Sequence, residues 1–525
     1  MSNDSARINR AQRSTPDQKG VVYLVGAGPG DPALLTLKGQ WCLEQADVVV
    51  YDRLVCEYLL TFCREDAEFV YVGKETDHHT LTQEQINRVL ADRALQGKTV
   101  CRLKGGDPFL FGRGGEEAAH LAASGIRYEV VPGVTAALSV PAYAGIPVTH
   151  RDYASSLTIV TGHRRKGGEE SVLTGLHGQG GTAVFMMGYE NLEAIREELL
   201  ARGWSPGTPA ALIQWGTRAG QQTVAGTLDN LQQRARVAGI GSPAVLIVGR
   251  VVELRQHLHW REMLPLFGKR ILITRAIPQA HELAARIIAL GGEPLCLPVL
   301  ELQPPRDPAP LDRALDSLDR YQWVIFTSAN GVAFFMKRLQ ERGLDIRAIR
   351  GSLAAIGPGT GKALAGYGLR VAFTPEQYRA ETLLDGLLGV IAPGSRVLLP
   401  RAAEARNVLP DGLRAGGILV DVAPSYQTVS GGARHKRLLQ EALQGRVDYL
   451  TFTSSSAIRN FKNLFEEAEL AGLLSRSRVA CIGPVTAATA ASIGMRVDLV
   501  AEEYTGDGLL EAIIEELGAR RQEPE

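Results

Sequence analysis

VVYLVGAGPGD, residues 21 to 31, is an unbroken apolar run of β-formers that ends in a cluster of glycines. A run without polar alternation reads as a strand buried on both faces, and glycines at its end let backbone approach a ligand. Working outward, similar short runs recur at Val48 to Tyr51, Phe69 to Val72, Val100 to Leu103 and Tyr128 to Val131. A second set follows at Leu157 to Val160, Ala183 to Met187, Ala210 to Ile213 and Ala244 to Val248, with longer helical stretches between runs. The alternation predicts an α/β fold with two sheets in this half.

Arg250 to Phe267 carry the chain to Gly268, where a fresh strand signal begins and the main boundary is expected. Beyond it the sequence repeats: GKRILITRA (268–276) returns as GSRVLLPRA (394–402), WVIFTSANGV (323–332) as YLTFTSSSAI (449–458), and AAIGPGT (354–360) as ACIGPVT (480–486). Every pair is separated by 126 positions, as 394 less 268 shows. A constant offset means two copies of one α/β unit, expected to face each other across a cleft.

Composition narrows the function. A chain of 525 residues is long enough for about three or four folding units. Hydrophobic residues at 45% and charged residues at 22% fit a globular chain. Lys plus Arg equals Asp plus Glu at 57 each, so no global basic field points to nucleic acid. Six cysteines without a C-x-x-C pair suit a reducing cytoplasm, and no apolar stretch reaches the roughly 20 residues that span a bilayer. Residues 1–19 and 521–525 are expected to be tails.

The glycine loop admits a nicotinamide reading, with Asp52 at the end of the next strand posing as a ribose ligand. Pro29 and Asp31 oppose it, because they occupy positions where that fingerprint wants a free helix start and a third glycine. A second strand also ends in glycines, at RLKGGDPFLFGRGGEE (102–117). His78 and His79 lack partners at metal-ligand spacing, so no metal is expected.

GAGPGDPALLTLKG (26–39), VVVYDRLV (48–55), VGK (72–74), RLKGGDPFLFGRGGEE, VPGVTAALSVPAYAGIPVTHRDYA (131–154) and VTGH (160–163) together resemble the uroporphyrinogen-III C-methyltransferases, over residues 20–256. The resemblance implies a tetrapyrrole methylase fold of two subdomains, 20–150 and 151–256. It implies S-adenosylmethionine as cosubstrate, touched by Pro29, Gly105, Gly106, Asp107, Leu110, Thr135, Ala136, Met187 and Gly216. Asp52 and Lys74 correspond to the family's proton acceptor and donor; the plainer readings are a strand-end cap and a surface lysine. Arg53, Lys104, Arg113, Arg151 and His163 lie in the matching motifs as candidates for the substrate's carboxylates, with ordinary surface charge as the alternative. The family usually dimerises through this half.

Residues 268–520 resemble uroporphyrinogen-III synthase, through TRA, FTSANGV, AIGPGT, YQT and FTSSSA. That implies a duplicated, two-domain α/β fold in which 306–427 is inserted within 268–305 plus 428–520, after a linker at 257–267. It implies closure of hydroxymethylbilane to uroporphyrinogen III, which the first half would methylate twice to precorrin-2. Ser328, Thr360, Ser454 and Thr486 are candidate carboxylate binders or plain helix caps. Tyr426, whose partner in the repeat is Leu300, is either catalytic or a buried structural ring. Two other classes stay open: a nicotinamide oxidoreductase, and a small-molecule binding protein that uses the duplicated half as a clamp.

Overall fold

The computed structural model describes residues 19–73, 81–162 and 180–522. Lys74, His78, His79 and His163 lie outside the described residues, as do residues 1–18. The chain forms two compact units: residues up to Leu297 together with those from His435 onward, and Pro298–Arg434.

In the first unit, β1 (Val21–Gly26), β2 (Val48–Tyr51), β3 (Glu68–Tyr71), β4 (Thr99–Lys104) and β5 (Arg127–Val131) form a parallel sheet of order β3-β2-β4-β1-β5. Val22, Leu24, Val25, Val100 and Leu103 are fully buried because helices cover both faces, the burial that unbroken apolar runs demand. The loops after β1 and β4 therefore emerge side by side. Ala27 N–H donates to Lys104 O at 2.7 Å, and Gly106 N–H to Gly28 O at 2.7 Å.

β6 (Ser156–Thr161), β7 (Gly181–Met186), β8 (Pro209–Gln214), β9 (Gln222–Thr227) and β10 (Ala244–Val248) form a second sheet of order β6-β7-β10-β8-β9. Only β6 and β7 run parallel; the other pairs are antiparallel. β9 escaped the sequence reading because QTVAGT is a half-exposed edge strand without an apolar run.

The expected linker at 257–267 is not a free tether. Arg261 is buried and donates to Thr217 O at 3.0 Å and to Asp31 Oδ2 at 3.5 Å, while Trp260 Nε1 donates to Ala142 O at 3.1 Å. The segment is strapped across the first half by these contacts.

β11 (Arg270–Ile273) and β12 (Glu293–Cys296) open a third sheet. β13 (Leu300–Gln303), β14 (Trp323–Phe326), β15 (Ser352–Ala355), β16 (Arg396–Ala402) and β17 (Leu419–Ser430) build the second unit, in the order β13-β17-β16-β14-β15. β18 (Tyr449–Phe452), β19 (Arg478–Cys481) and β20 (Leu499–Val500) complete the third sheet, in the order β12-β11-β18-β19-β20. The starts of β11 and β16, β12 and β17, β14 and β18, and β15 and β19 each differ by 126, as 396 less 270 shows. The two sheets thus share one order, β12-β11-β18-β19 matching β17-β16-β14-β15, and the repeat is a duplication of fold as well as of sequence.

Within the first unit the third sheet docks on the 3-10 helix Glu57–Phe62. Thr61 Oγ1 lies 2.8 Å from His281 Nε2, and the Tyr58 and Phe62 rings pack against that imidazole with centroids 5.5 and 4.9 Å away. Among the described residues no helix is long and apolar enough to cross a membrane.

Candidate active site

Backbone carries much of this site. β1, β4 and β8 all end in it, where open α/β sheets bind ligands. A Cβ on Gly26 would lie 2.5 Å from Gly133 Cα and 2.7 Å from Gly106 O, so three chain segments meet with no room for side chains. Asp107 ties them together: its Oδ1 accepts from Phe109 N–H at 2.8 Å and Leu110 N–H at 3.0 Å, and its Oδ2 from Gly133 N–H at 3.0 Å.

Strain accumulates at the same place. Met187 (φ 55°), which follows β7, and Trp215 (φ 46°), which follows β8, both line the cavity, and Thr217 has φ 72°. Each such residue costs about 1–3 kcal/mol and persists only where the surroundings over-determine it, a pattern that clusters at functional sites.

The result is a cavity of about 480 Å³. Pro29, Gly105, Gly106, Asp107, Leu110, Thr135, Ala136, Met187 and Gly216, the nine positions that the resemblance assigned to the cosubstrate, all line it. The sequence reading missed Val140, Ile213, Trp215, Arg218 and Val245, which line it too. Trp215 had one signal available, its place just past a strand end; Arg218 had none.

Asp52 makes a turn of its own, accepting from Leu54 N–H at 3.2 Å, and receives Arg102 Nη2 at 3.3 Å. Arg102 reaches on to Glu117, which is fully buried and also accepts Lys104 Nζ at 2.9 Å. Burial, and then the neighbouring Arg102, pull the Lys104 ammonium below its ordinary value despite Glu117. Lys104 is thus engaged in the core and does not line the cavity.

The other carboxylate candidates separate. Arg53 lines the cavity, its guanidinium 5.9 Å from the Trp215 ring centroid. Arg113, at φ 59°, pairs with Glu116 on the surface, and Arg151 is exposed away from the cavity.

A dinucleotide site needs a helix start directly after the first glycine loop. Here only a short 3-10 turn, Pro32–Leu34, follows that loop, and the first α-helix begins at Leu37. Asp31 is buried, caps that turn through Ala33 N–H at 2.9 Å and accepts Tyr143 Oη–H at 3.0 Å. The geometry disfavours the nicotinamide reading.

In the second unit, Ser328 caps the helix Ala329–Glu341 by accepting Gly331 N–H at 2.9 Å. Its hydroxyl also lies 3.1 Å from that of Tyr426, which is nearly buried and stacks on Phe334 at 5.5 Å between centroids. Thr360 is buried in the first turn of Pro358–Ala365. In the first unit, Ser454 caps Ser455–Leu464 through Ala457 N–H at 3.1 Å, with φ −163° as at Ser328, and Thr486 is buried like Thr360. Capping accounts for both serines; Ser328 adds the contact to Tyr426, and Ser454 one to Ser456 Oγ at 3.0 Å.

Two family models match, one described as Tetrapyrrole (Corrin/Porphyrin) Methylases over residues 21–232 and one as Uroporphyrinogen-III synthase HemD over 281–511. The porphyrin biosynthesis protein HemD of Ruminiclostridium josui is 39% identical over 500 residues, 95% of this chain and 98% of that one. The uroporphyrinogen-III C-methyltransferase of Bacillus subtilis is 41% identical over 340 residues, 64% of this chain and 70% of that one. Among solved structures, the uroporphyrin-III C-methyltransferase of Thermus thermophilus complexed with S-adenyl homocysteine is 38% identical, with a TM-score of 0.39, covering 45% of this chain and 94% of that one. The chain belongs to the family of bifunctional porphyrin biosynthesis enzymes in which a uroporphyrinogen-III C-methyltransferase precedes a uroporphyrinogen-III synthase.

Proposed function

We propose that the second half closes hydroxymethylbilane to uroporphyrinogen III and that the first half methylates this product twice, with S-adenosylmethionine, to precorrin-2. The observation that carries the reading is the meeting in one cavity of the nine residues that the resemblance assigns to the cosubstrate, drawn from five separate segments of chain. That cavity suits the cosubstrate chemically, with Gly105, Gly106 and Gly216 bringing backbone to its wall for polar groups and Leu110, Val140, Ile213 and Val245 as apolar wall.

S-adenosylmethionine supplies an electrophilic methyl on its sulfonium, which needs no metal to react with an electron-rich pyrrole carbon. The cavity aligns the two reactants, and each methyl that joins a ring carbon displaces one proton. Asp52, which accepts from Arg102, is the proposed proton acceptor, and Lys74 the proposed donor. In the other half the work is conformational: Ser328, Thr360, Ser454 and Thr486 hold carboxylates, while the Tyr426 hydroxyl assists departure of the substrate's hydroxyl. Tetrapyrroles are the partners, a homodimer is the proposed assembly, and the cytoplasm is the proposed location.

Two assays test the halves separately. Uroporphyrinogen III with labelled S-adenosylmethionine is expected to gain two methyl groups, and S-adenosylhomocysteine to bind the chain in calorimetry. Binding of NADH with no response to S-adenosylhomocysteine would reverse the reading of the first half. For the second, Tyr426→Phe is expected to slow ring closure at least about tenfold, about 1.4 kcal/mol, with little change in unfolding midpoint. Unchanged turnover would make Tyr426 a structural ring only.

A further inference from the structure

A second cavity, of about 320 Å³, adjoins the first and shares Arg53, Trp215 and Arg218 with it. Glu57, Ala219 and Gly220 of the first half and Arg270, Glu293 and Arg446 of the synthase half complete most of its wall. It exists because that lobe docks on the Glu57–Phe62 turn.

The lining holds four arginines against two glutamates, and the glutamates are already engaged. Arg218 Nη2 binds Glu57 at 2.7 Å and Glu293 at 2.9 Å, and Arg270 Nη2 binds Glu293 at 2.9 Å. These four groups are largely buried and form a neutral floor. Arg53 and Arg446 remain on the open side. Among the described residues Arg53 has no carboxylate partner, only the face of Trp215. Arg446, with a 65% exposed side chain, spends Nε and Nη2 on one oxygen of Asp448, at 2.9 and 2.7 Å, and among the described residues leaves Nη1 unengaged.

A guanidinium N–H that no acidic group takes can hold a carboxylate, and two such groups, Arg53 and Arg446 Nη1, beside a charge-neutral floor match a ligand carrying several carboxylates. We infer that the synthase lobe completes the methyltransferase's substrate site: Arg446, with Arg53 opposite, holds peripheral carboxylates of the macrocycle whose reacting carbon lies in the first cavity. The inference rests on the proposed function. It assigns a residue of one half to the reaction of the other, and gives the fusion a chemical role in substrate binding that needs no tunnel.

The test is methylation kinetics of the full chain carrying Arg446→Glu, with Arg437→Glu, an exposed position of the same lobe outside this cavity, as the charge control. Arg446→Glu is expected to raise the KM for uroporphyrinogen III at least about tenfold and to leave the KM for S-adenosylmethionine within about twofold, because Arg446 does not line the cosubstrate's cavity. The excess KM is expected to shrink as salt screens the reversed charge, and Arg437→Glu to behave as wild type. A KM for uroporphyrinogen III within about twofold of wild type, or equal effects of Arg446→Glu and Arg437→Glu, overturns the inference. Failure of the wild-type chain to methylate uroporphyrinogen III at all is a different result and overturns the function reading itself.

Discussion

Alanine at Asp107 is expected to lower methyl transfer at least about a hundredfold while leaving ring closure within about twofold. One carboxylate there holds three backbone N–H groups, those of Phe109, Leu110 and Gly133, and so fixes the loop after β4 against the loop after β5. Each such bond to a charged acceptor contributes about 1.5–3 kcal/mol, and losing even about 3 kcal/mol of the set at the transition state corresponds to about a hundredfold. Asn at this position still accepts from Phe109 and Leu110 but not from Gly133, so Asp107→Asn is expected to fall between. Initial rates of both reactions on the same preparations check it; equal loss of both activities would mean that the substitution merely unfolds the chain.

The second large effect concerns stability. Glu293 is 6% exposed, yet it takes Arg218, Arg270 and the Ala219 N–H at 2.9 Å. Glu293→Ala leaves a buried guanidinium and a buried N–H short of a partner, and is expected to cost about 3–5 kcal/mol in the unfolding transition of the first unit. Burial alone would raise this carboxyl, but Arg218, Arg270 and the Ala219 N–H outweigh it and hold it at about 2 against an ordinary 4.5. The sign follows from that depression. The unfolded chain binds the proton first, so the stabilisation is full above pH 4.5 and is lost as pH falls toward 2. It amounts to about 3 kcal/mol. Thermal unfolding of wild type and Glu293→Gln across that window checks it: the wild-type midpoint is expected to fall more steeply with acid, and parallel curves would contradict the assignment.

What was legible in the sequence depended on whether a residue acts through backbone or through a distant partner. β1 and β4 announced themselves because buried parallel strands must be apolar throughout, and the glycines after them because three backbones meet where no Cβ fits. The duplication was legible from its constant offset. β9 was not, since an edge strand needs no apolar run. Lys104 read as a candidate for the substrate's carboxylates because its partner, Glu117, lies on the helix Gly114–Ala123, and nothing local reveals that the pair is buried. Arg218 was invisible for the same reason: its acids, Glu57 and Glu293, lie 161 and 75 positions away. Arg261 turned an expected linker into a packed strap through Asp31, 230 positions distant.

The most direct test of the account is an anaerobic incubation of the full chain with hydroxymethylbilane and labelled S-adenosylmethionine, analysed for product mass and ring isomer. The account predicts a type III macrocycle carrying two added methyl groups. Unmethylated type III product would contradict the reading of the first half, and type I ring alone would contradict the reading of the second.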